Sequence, residues 1–308
     1  MLLIRRTGPL DIHHQRSKLR VETMAFCICL RRYDHVKSMS PKIAHVVLEK
    51  WALIDDHPGL CRLEQLFLAQ RAVFAVHTFA LGSRSLLEYF GLSSGLSEQV
   101  LWSVTCQMVS TLRRVHAANL AVRTMDLKHT LCRMDVASHP VRMRVMFNCC
   151  GIVDALEYET CSRKPIAECQ QEDIRNLGRL VLSLATGTEI TAATDNDTLN
   201  RCERFCVTNY SREFHNLCFT LIRTPVPPSI VDISRAMAGR ALDELDAAQM
   251  SLNQTEVALA AEYESGRALR LLLKLGFVNE RPEFGPNRRW AQSGDCYVLT
   301  LFRDYGTQ

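Results

Sequence analysis

The sequence lacks several features that would assign it to a common functional class. No apolar run is long enough to span a bilayer, which predicts a protein without a membrane segment. The formal net charge of +4 is too small to indicate nucleic-acid binding by itself. The 13 cysteines include no Cys-x-x-Cys pair, and no secretory signal precedes them. This pattern favours reduced thiols in an intracellular protein and predicts no metal site.

The order of predicted elements favours an α+β fold. Residues 26–33 and 60–79 are β-prone, whereas residues 98–120 carry apolar side chains at helical spacing. Later segments are predicted to be mostly helical, and one of these helices is expected to end at Gly187, since glycine is common at helix C-termini. The stretch "VRMRVMFNCCGIVDAL" predicts a further strand. Strands grouped before helices are typical of the α+β class.

Composition divides the chain into four regions. Residues 1–24 are basic and predict a disordered tail, and residues 25–236 form the main domain. Residues 237–265 predict one long helix, followed by a C-terminal region over 266–308. Along this helix, apolar or small residues recur at a 4-3 spacing, which fits either a coiled-coil seam or a helix packed on its own domain. These residues are Ala241, Leu245, Ala248, Leu252, Thr255 and Leu259.

The stretch "AVRTMDLKHTL", residues 121–131, resembles a protein-kinase catalytic loop of the pattern H-R-D-L-K-x-x-N. With Arg123 as the arginine of the pattern, Thr124 replaces the catalytic aspartate and His129 replaces the metal-binding asparagine. Farther along, Cys149 replaces the aspartate of the D-F-G motif. Phosphoryl transfer needs those carboxylate and amide groups to hold metal and to orient the nucleophile. The resemblance therefore implies a pseudokinase and not an enzyme.

Weaker kinase-like matches occur in the correct order around this loop. Arg31 in "ICLR" replaces the phosphate-holding lysine, and "DIRNLG" at 173–178 resembles the D-x-W-S-x-G segment. A glycine-rich loop is missing, because Gly8 is the only glycine before Arg31. The resemblance implies at most a weak, non-catalytic ATP site, and six residues would line it by position: Arg31, His77, Thr78, Gly82, Lys128 and His129.

The C-terminal pieces "LDAAQM", "GRALRLLLKLG", "NERPEF" and "SGDCYVLTLFRDY" resemble one family in particular. It comprises the pseudokinase regulatory subunits of the poly(A) nuclease deadenylation complex. The resemblance implies a protein-kinase-like bilobal domain, a coiled-coil helix and a partial C-terminal knob. Relative to that family pattern, the chain is shortened at both ends.

This resemblance also implies a set of partners. A homodimer would form through Leu245, Leu252 and Leu259, and the nuclease subunit would bind at the coiled coil and the knob. Trp290 is a candidate contact there, although an aromatic residue can equally be part of the knob core. Poly(A)-binding protein would be a partner only if a further N-terminal region exists.

The function so implied is recruitment of a cytoplasmic deadenylase to mRNA poly(A) tails, with mRNA-processing bodies as a location. Two alternatives stay open at this point, namely a divergent active protein kinase and a truncated, non-functional homologue.

Overall fold

The computed structural model describes residues 2–5, 24–31, 41–69, 72–78, 82–91, 95–135, 142–158, 164–264, 266 and 269–274. The chain divides into two compact units, Met1–Leu245 and Asp246–Gln308. Most of the first unit is described, whereas most of the second unit, including Trp290, lies outside the described residues.

The first unit begins with a four-stranded antiparallel sheet in the order β1-β2-β4-β3. Its strands are β1 (Leu2–Arg5), β2 (Met24–Arg31), β3 (Leu63–Ala69) and β4 (Ala72–Thr78). Helix α1 (Pro41–Ala52) lies between β2 and β3 in sequence. Its residues Val47 and Trp51 are buried in the same core as Val73 and Ala75 of β4. One face of β4 is therefore core, and its inward residues alternate as a half-buried strand requires.

A second, three-stranded sheet has the order β5-β6-β7. It comprises β5 (Arg84–Ser85), β6 (Thr130–Asp135) and β7 (Arg142–Phe147). Helix α2 (Leu86–Phe90) starts at once after β5, because Ser85 and Glu88 form a reciprocal capping box.

The remainder of the first unit is helical. Helices α3 (Glu98–Ala117) and α5 (Ile166–Thr186) are the longest in this part and bury apolar stripes in the common core. Between and after them come α4 (Ile152–Leu156), α6 (Asn196–Asn209), α7 (Arg212–Arg223) and α8 (Ile230–Ala236). Helix α9 (Ala238–Glu264), a single 27-residue helix, begins in the first unit and ends in the second.

Several sequence-based predictions are confirmed by these bounds. The chain is α+β, the helices predicted at 98–120 and 237–265 are α3 and α9, and Gly187 ends α5 in the left-handed conformation with φ 66°. Glycine adopts this conformation without a steric penalty, which explains why the helix stops there.

Two predictions were wrong. The basic N-terminal segment 1–24 is predicted to be a disordered tail, but Leu2–Arg5 form strand β1, paired with Met24–Cys27. The edge of β2 provides unpaired backbone N–H and C=O groups with which this segment pairs. The strand predicted over "VRMRVMFNCCGIVDAL" ends at Phe147, because Cys149 adopts φ 62° and turns the chain into α4.

Candidate functional site

The loop between α3 and β6 is held in place by one buried carboxylate. Asp173 of α5 has no exposed surface and accepts hydrogen bonds from the backbone N–H groups of Val122 (2.7 Å) and Arg123 (2.8 Å). Nε2 of His116 lies 3.1 Å from the same carboxylate. Arg123 has φ 61°, which is costly for a residue with a side chain. Asp173 therefore fixes a strained backbone at the centre of the loop.

The guanidinium of Arg123 forms a second set of contacts, which we call the arginine clamp. It donates to Asp154 (3.3 Å) and to Glu157, and the indole N–H of Trp51 donates to Asp154 (2.9 Å). Burial disfavours the charged guanidinium, yet the hydrogen bond to Glu157 and nearby negative charges raise the pKa of Arg123. The clamp thus links the loop, the segment after β7 and helix α1.

Thr124 occupies the position of the kinase catalytic aspartate, and its hydroxyl is hydrogen-bonded to the backbone. Oγ1 donates to the carbonyl of Asn148 at 3.0 Å and lies 3.3 Å from the carbonyl of Val122. A threonine hydroxyl has no basic form at neutral pH, and here its proton is already donated. Thr124 therefore supplies no general base at this position.

Asp126 is the carboxylate of this loop, and the sequence comparison assigned it no role. Its Oδ1 accepts from the N–H groups of Lys128 (2.8 Å) and His129 (2.7 Å), while Oδ2 lies 2.7 Å from Nδ1 of His129. This hydrogen bond is the main reason why the pKa of His129 is raised. His129 and Lys128 are therefore arranged around Asp126, and His129 favours the charged imidazolium, which is a poor metal ligand.

The two cysteines after β7 are buried thiols. Burial raises the pKa of Cys149 to about 12, and the pKa of the fully enclosed Cys150 is also raised well above its usual value. Both side chains thus remain protonated at neutral pH and are weak ligands for Mg²⁺, which prefers oxygen. Within the described ranges, no cluster of three or more His, Cys, Asp or Glu side chains could hold a metal ion.

The residues predicted to line a nucleotide cleft do not all lie together, because Arg31 is paired at the start of β4 whereas His77 and Thr78 are at its end. Arg31 ends β2 opposite Ala72, and Gly82 has φ 82° just before β5. Thr78 is already bonded to Arg62 through both its N–H and its Oγ1, each at 2.8 Å. These geometries do not test nucleotide binding, which stays a prediction.

His77 is the predicted cleft residue with the most unusual environment. It has no exposed surface, and Nδ1 lies 3.3 Å from the carbonyl of Cys61. Burial lowers the pKa of His77 to about 4, although the hydrogen bond to Cys61 opposes the shift. An unfolded histidine has a pKa near 6.5, so the unfolded chain binds more protons between pH 6.5 and pH 4.

We therefore expect the folded state to lose stability as the pH falls through this window. The loss from His77 at pH 5 should be about 2 kcal/mol relative to pH 7. Urea unfolding at pH 7 and pH 5 measures the free energy of unfolding at each pH. The His77→Gln variant should not show the part of the loss that comes from His77. His57 has a pKa lowered by burial and Arg114, and it contributes equally in both proteins. An identical pH dependence in wild type and variant would contradict the assignment.

Helix α9 exposes an apolar stripe. Leu245, Leu252 and Leu259, spaced by seven residues, are 59%, 58% and 69% exposed. Residues at this spacing lie on one side of a helix, as in a coiled-coil seam. No helix among the described residues combines the length and the apolar character needed to cross a bilayer.

Comparison with known proteins identifies similar chains. The family model described as "Pan3 C-terminal knob domain" matches residues 230–306. The PAN2-PAN3 deadenylation complex subunit pan3 of Dictyostelium discoideum is 33% identical over 285 residues, which cover 90% of this chain and 36% of the relative. The corresponding subunit of Homo sapiens is 31% identical over 310 residues, which cover 90% and 34%. The chain thus spans roughly a third of the length of these curated relatives.

Two solved structures show which fold this chain adopts. The Neurospora crassa PAN3 pseudokinase has a TM-score of 0.70 and 23% identity, with 97% of this chain and 75% of that chain covered. PAN3 in a complex of Neurospora crassa PAN2 (WD40-CS1) with PAN3 (pseudokinase and C-term) has the same score and identity, with 97% and 76% covered. The fold of this chain is therefore protein-kinase-like, as its catalytic-loop resemblance predicted.

Proposed function

We propose that this chain, a homologue of the PAN3 subunits of PAN2-PAN3 deadenylation complexes, is a non-catalytic adaptor for a poly(A)-specific nuclease. The observation that carries the proposal is similarity over 90% of the chain to these subunits, together with a match to their knob domain at 230–306. By analogy with the complex solved for Neurospora crassa, the partner is a PAN2-type nuclease subunit. The adaptor would deliver this nuclease to mRNA poly(A) tails in the cytoplasm.

The chemistry of the loop supports a pseudokinase role. Thr124, His129 and Cys149 stand where a kinase needs a base and two metal ligands. Thr124 donates its proton to a backbone carbonyl, His129 bonds to Asp126, and Cys149 is a buried thiol. None of these three positions offers Mg²⁺ a carboxylate ligand, so we propose that ATP binds only weakly and is not hydrolysed.

The purified chain should transfer no phosphate from labelled ATP and magnesium to itself or to generic protein substrates. Wild type and Thr124→Ala should give the same background, because the Thr124 hydroxyl takes no part in catalysis. Incorporation that exceeds background and disappears with Thr124→Ala would instead favour a divergent active kinase.

The stripe on α9 supports a homodimer. Leu245, Leu252 and Leu259 lie on one side of the helix and are more than half exposed. Pairing with a second copy of the chain would bury them. We propose that this pairing creates the surface on which one nuclease subunit is bound.

A further inference from the structure

A cavity of about 570 Å³ lies beside the arginine clamp and away from the positions predicted to hold nucleotide. Helix α1, the chain around Asn119–Arg123 and the start of α5 enclose it. None of His77, Thr78, Lys128 or His129 is among its lining residues. Its volume falls in the range of pockets that hold small organic molecules.

The walls of this cavity are largely apolar and aromatic. Trp51 and Leu53 contribute from the α1 side, Tyr158 from the segment after α4, and Ile166 from α5. Leu53 is 74% exposed, which leaves an unusually large apolar surface at this position. A ligand with an aromatic or aliphatic body would cover apolar surface that water now contacts.

The charge of the cavity is unbalanced. Three cations line it, Lys50, Arg123 and Lys164, against one carboxylate among the described residues, Asp154. Arg123 already binds Asp154 and Glu157 in the clamp. In the described part of the chain, neither Lys50 nor Lys164 forms an ion pair, and the Lys50 ammonium lies 5.8 Å from the centre of the Tyr158 ring. With Glu157 of the clamp counted, three positive charges face two negative charges, and the one net positive charge, carried by the two lysines, can attract an anion.

We propose that this cavity binds a small organic anion, with an aromatic or aliphatic body between Trp51, Tyr158 and Ile166 and an anionic group held by Lys50 and Lys164. The bound molecule would join helix α1 to the start of α5 and so reinforce the link that the arginine clamp makes. The proposal is independent of the deadenylase role, because it uses none of the residues assigned to partner binding.

Calorimetric titration with naphthalene-2-sulfonate tests the site, since this probe combines an aromatic body with one negative charge. We expect saturable binding to wild type and at least tenfold weaker binding to K50E/K164E. The control K42E/K274E reverses two exposed lysines outside the cavity and should bind like wild type. The neutral analogue naphthalen-2-ylmethanol should bind at least tenfold more weakly than the sulfonate.

Three outcomes would overturn the proposal. The first is no saturable binding of the sulfonate at millimolar concentration. The second is equal weakening in both lysine variants, which would reflect overall charge and not this cavity. The third is equal affinity for the sulfonate and the neutral alcohol. All four lysines are exposed, so the variants should fold, and a thermal melt of each confirms this.

Discussion

Replacing Asp173 with alanine should destabilise the first unit by about 4 kcal/mol. The carboxylate accepts two backbone N–H groups, those of Val122 and Arg123, in a fully buried position. Each buried donor left without a partner costs about 1–3 kcal/mol, and Arg123 would lose the hydrogen bond that helps to hold its backbone at a positive φ. In a domain of this size, the loss corresponds to a fall in melting temperature of about 10 °C.

Thermal unfolding followed by circular dichroism measures this effect. Asp55→Ala is a matched control, because Asp55 is an exposed aspartate of the same unit, and its change should stay within about 0.5 kcal/mol. A melting temperature of Asp173→Ala within 2 °C of that control would show that the loop does not depend on this carboxylate.

Changing Leu245 and Leu252 to glutamate should convert a dimer into monomers. Burial of a leucine contributes about 1.5–3 kcal/mol, and the double change removes four leucines from the proposed seam of two helices. Charges placed in an apolar seam add a further penalty. The dissociation constant should therefore rise at least about a thousandfold, as sedimentation equilibrium would measure.

The control for this pair is M250E/V257E. Met250 and Val257 are 63% and 68% exposed on the same helix, roughly 140° around its axis from Leu245 and Leu252. The control adds the same charge to the same helix but should remain a dimer. A monomeric wild type at micromolar concentration would refute the seam, and a dimer that survives the leucine changes would place the interface elsewhere.

Local sequence signals sufficed for most of the fold. Helices such as α3 and α5 carry long apolar stripes, and Gly187 supplies the left-handed stop. The end of β7 could not be predicted, because Cys149 takes a positive φ that its residue type does not favour. The pairing of Leu2–Arg5 with β2 was missed for another reason, since it depends on an open sheet edge that only the tertiary structure reveals.

For the candidate site, sequence identified the loop but not what holds it. The spacing around Arg123 was enough to align Thr124 and His129 with kinase positions. The contacts between Trp51 and Asp154, or between Arg123 and Asp173, join residues far apart in sequence. The segment that begins at Asp173 resembles the kinase D-x-W-S-x-G pattern, but this match does not identify Val122 and Arg123 as the partners of its carboxylate.

The role as a nuclease adaptor is tested most directly by light scattering on a mixture of this chain with the PAN2-type nuclease subunit of the same organism. We expect one stable complex at micromolar concentration, with the mass of two copies of this chain and one nuclease. The L245E/L252E variant should lose that complex, whereas M250E/V257E should keep it. Separate elution of the wild-type chain and the nuclease at their individual masses would contradict the adaptor role.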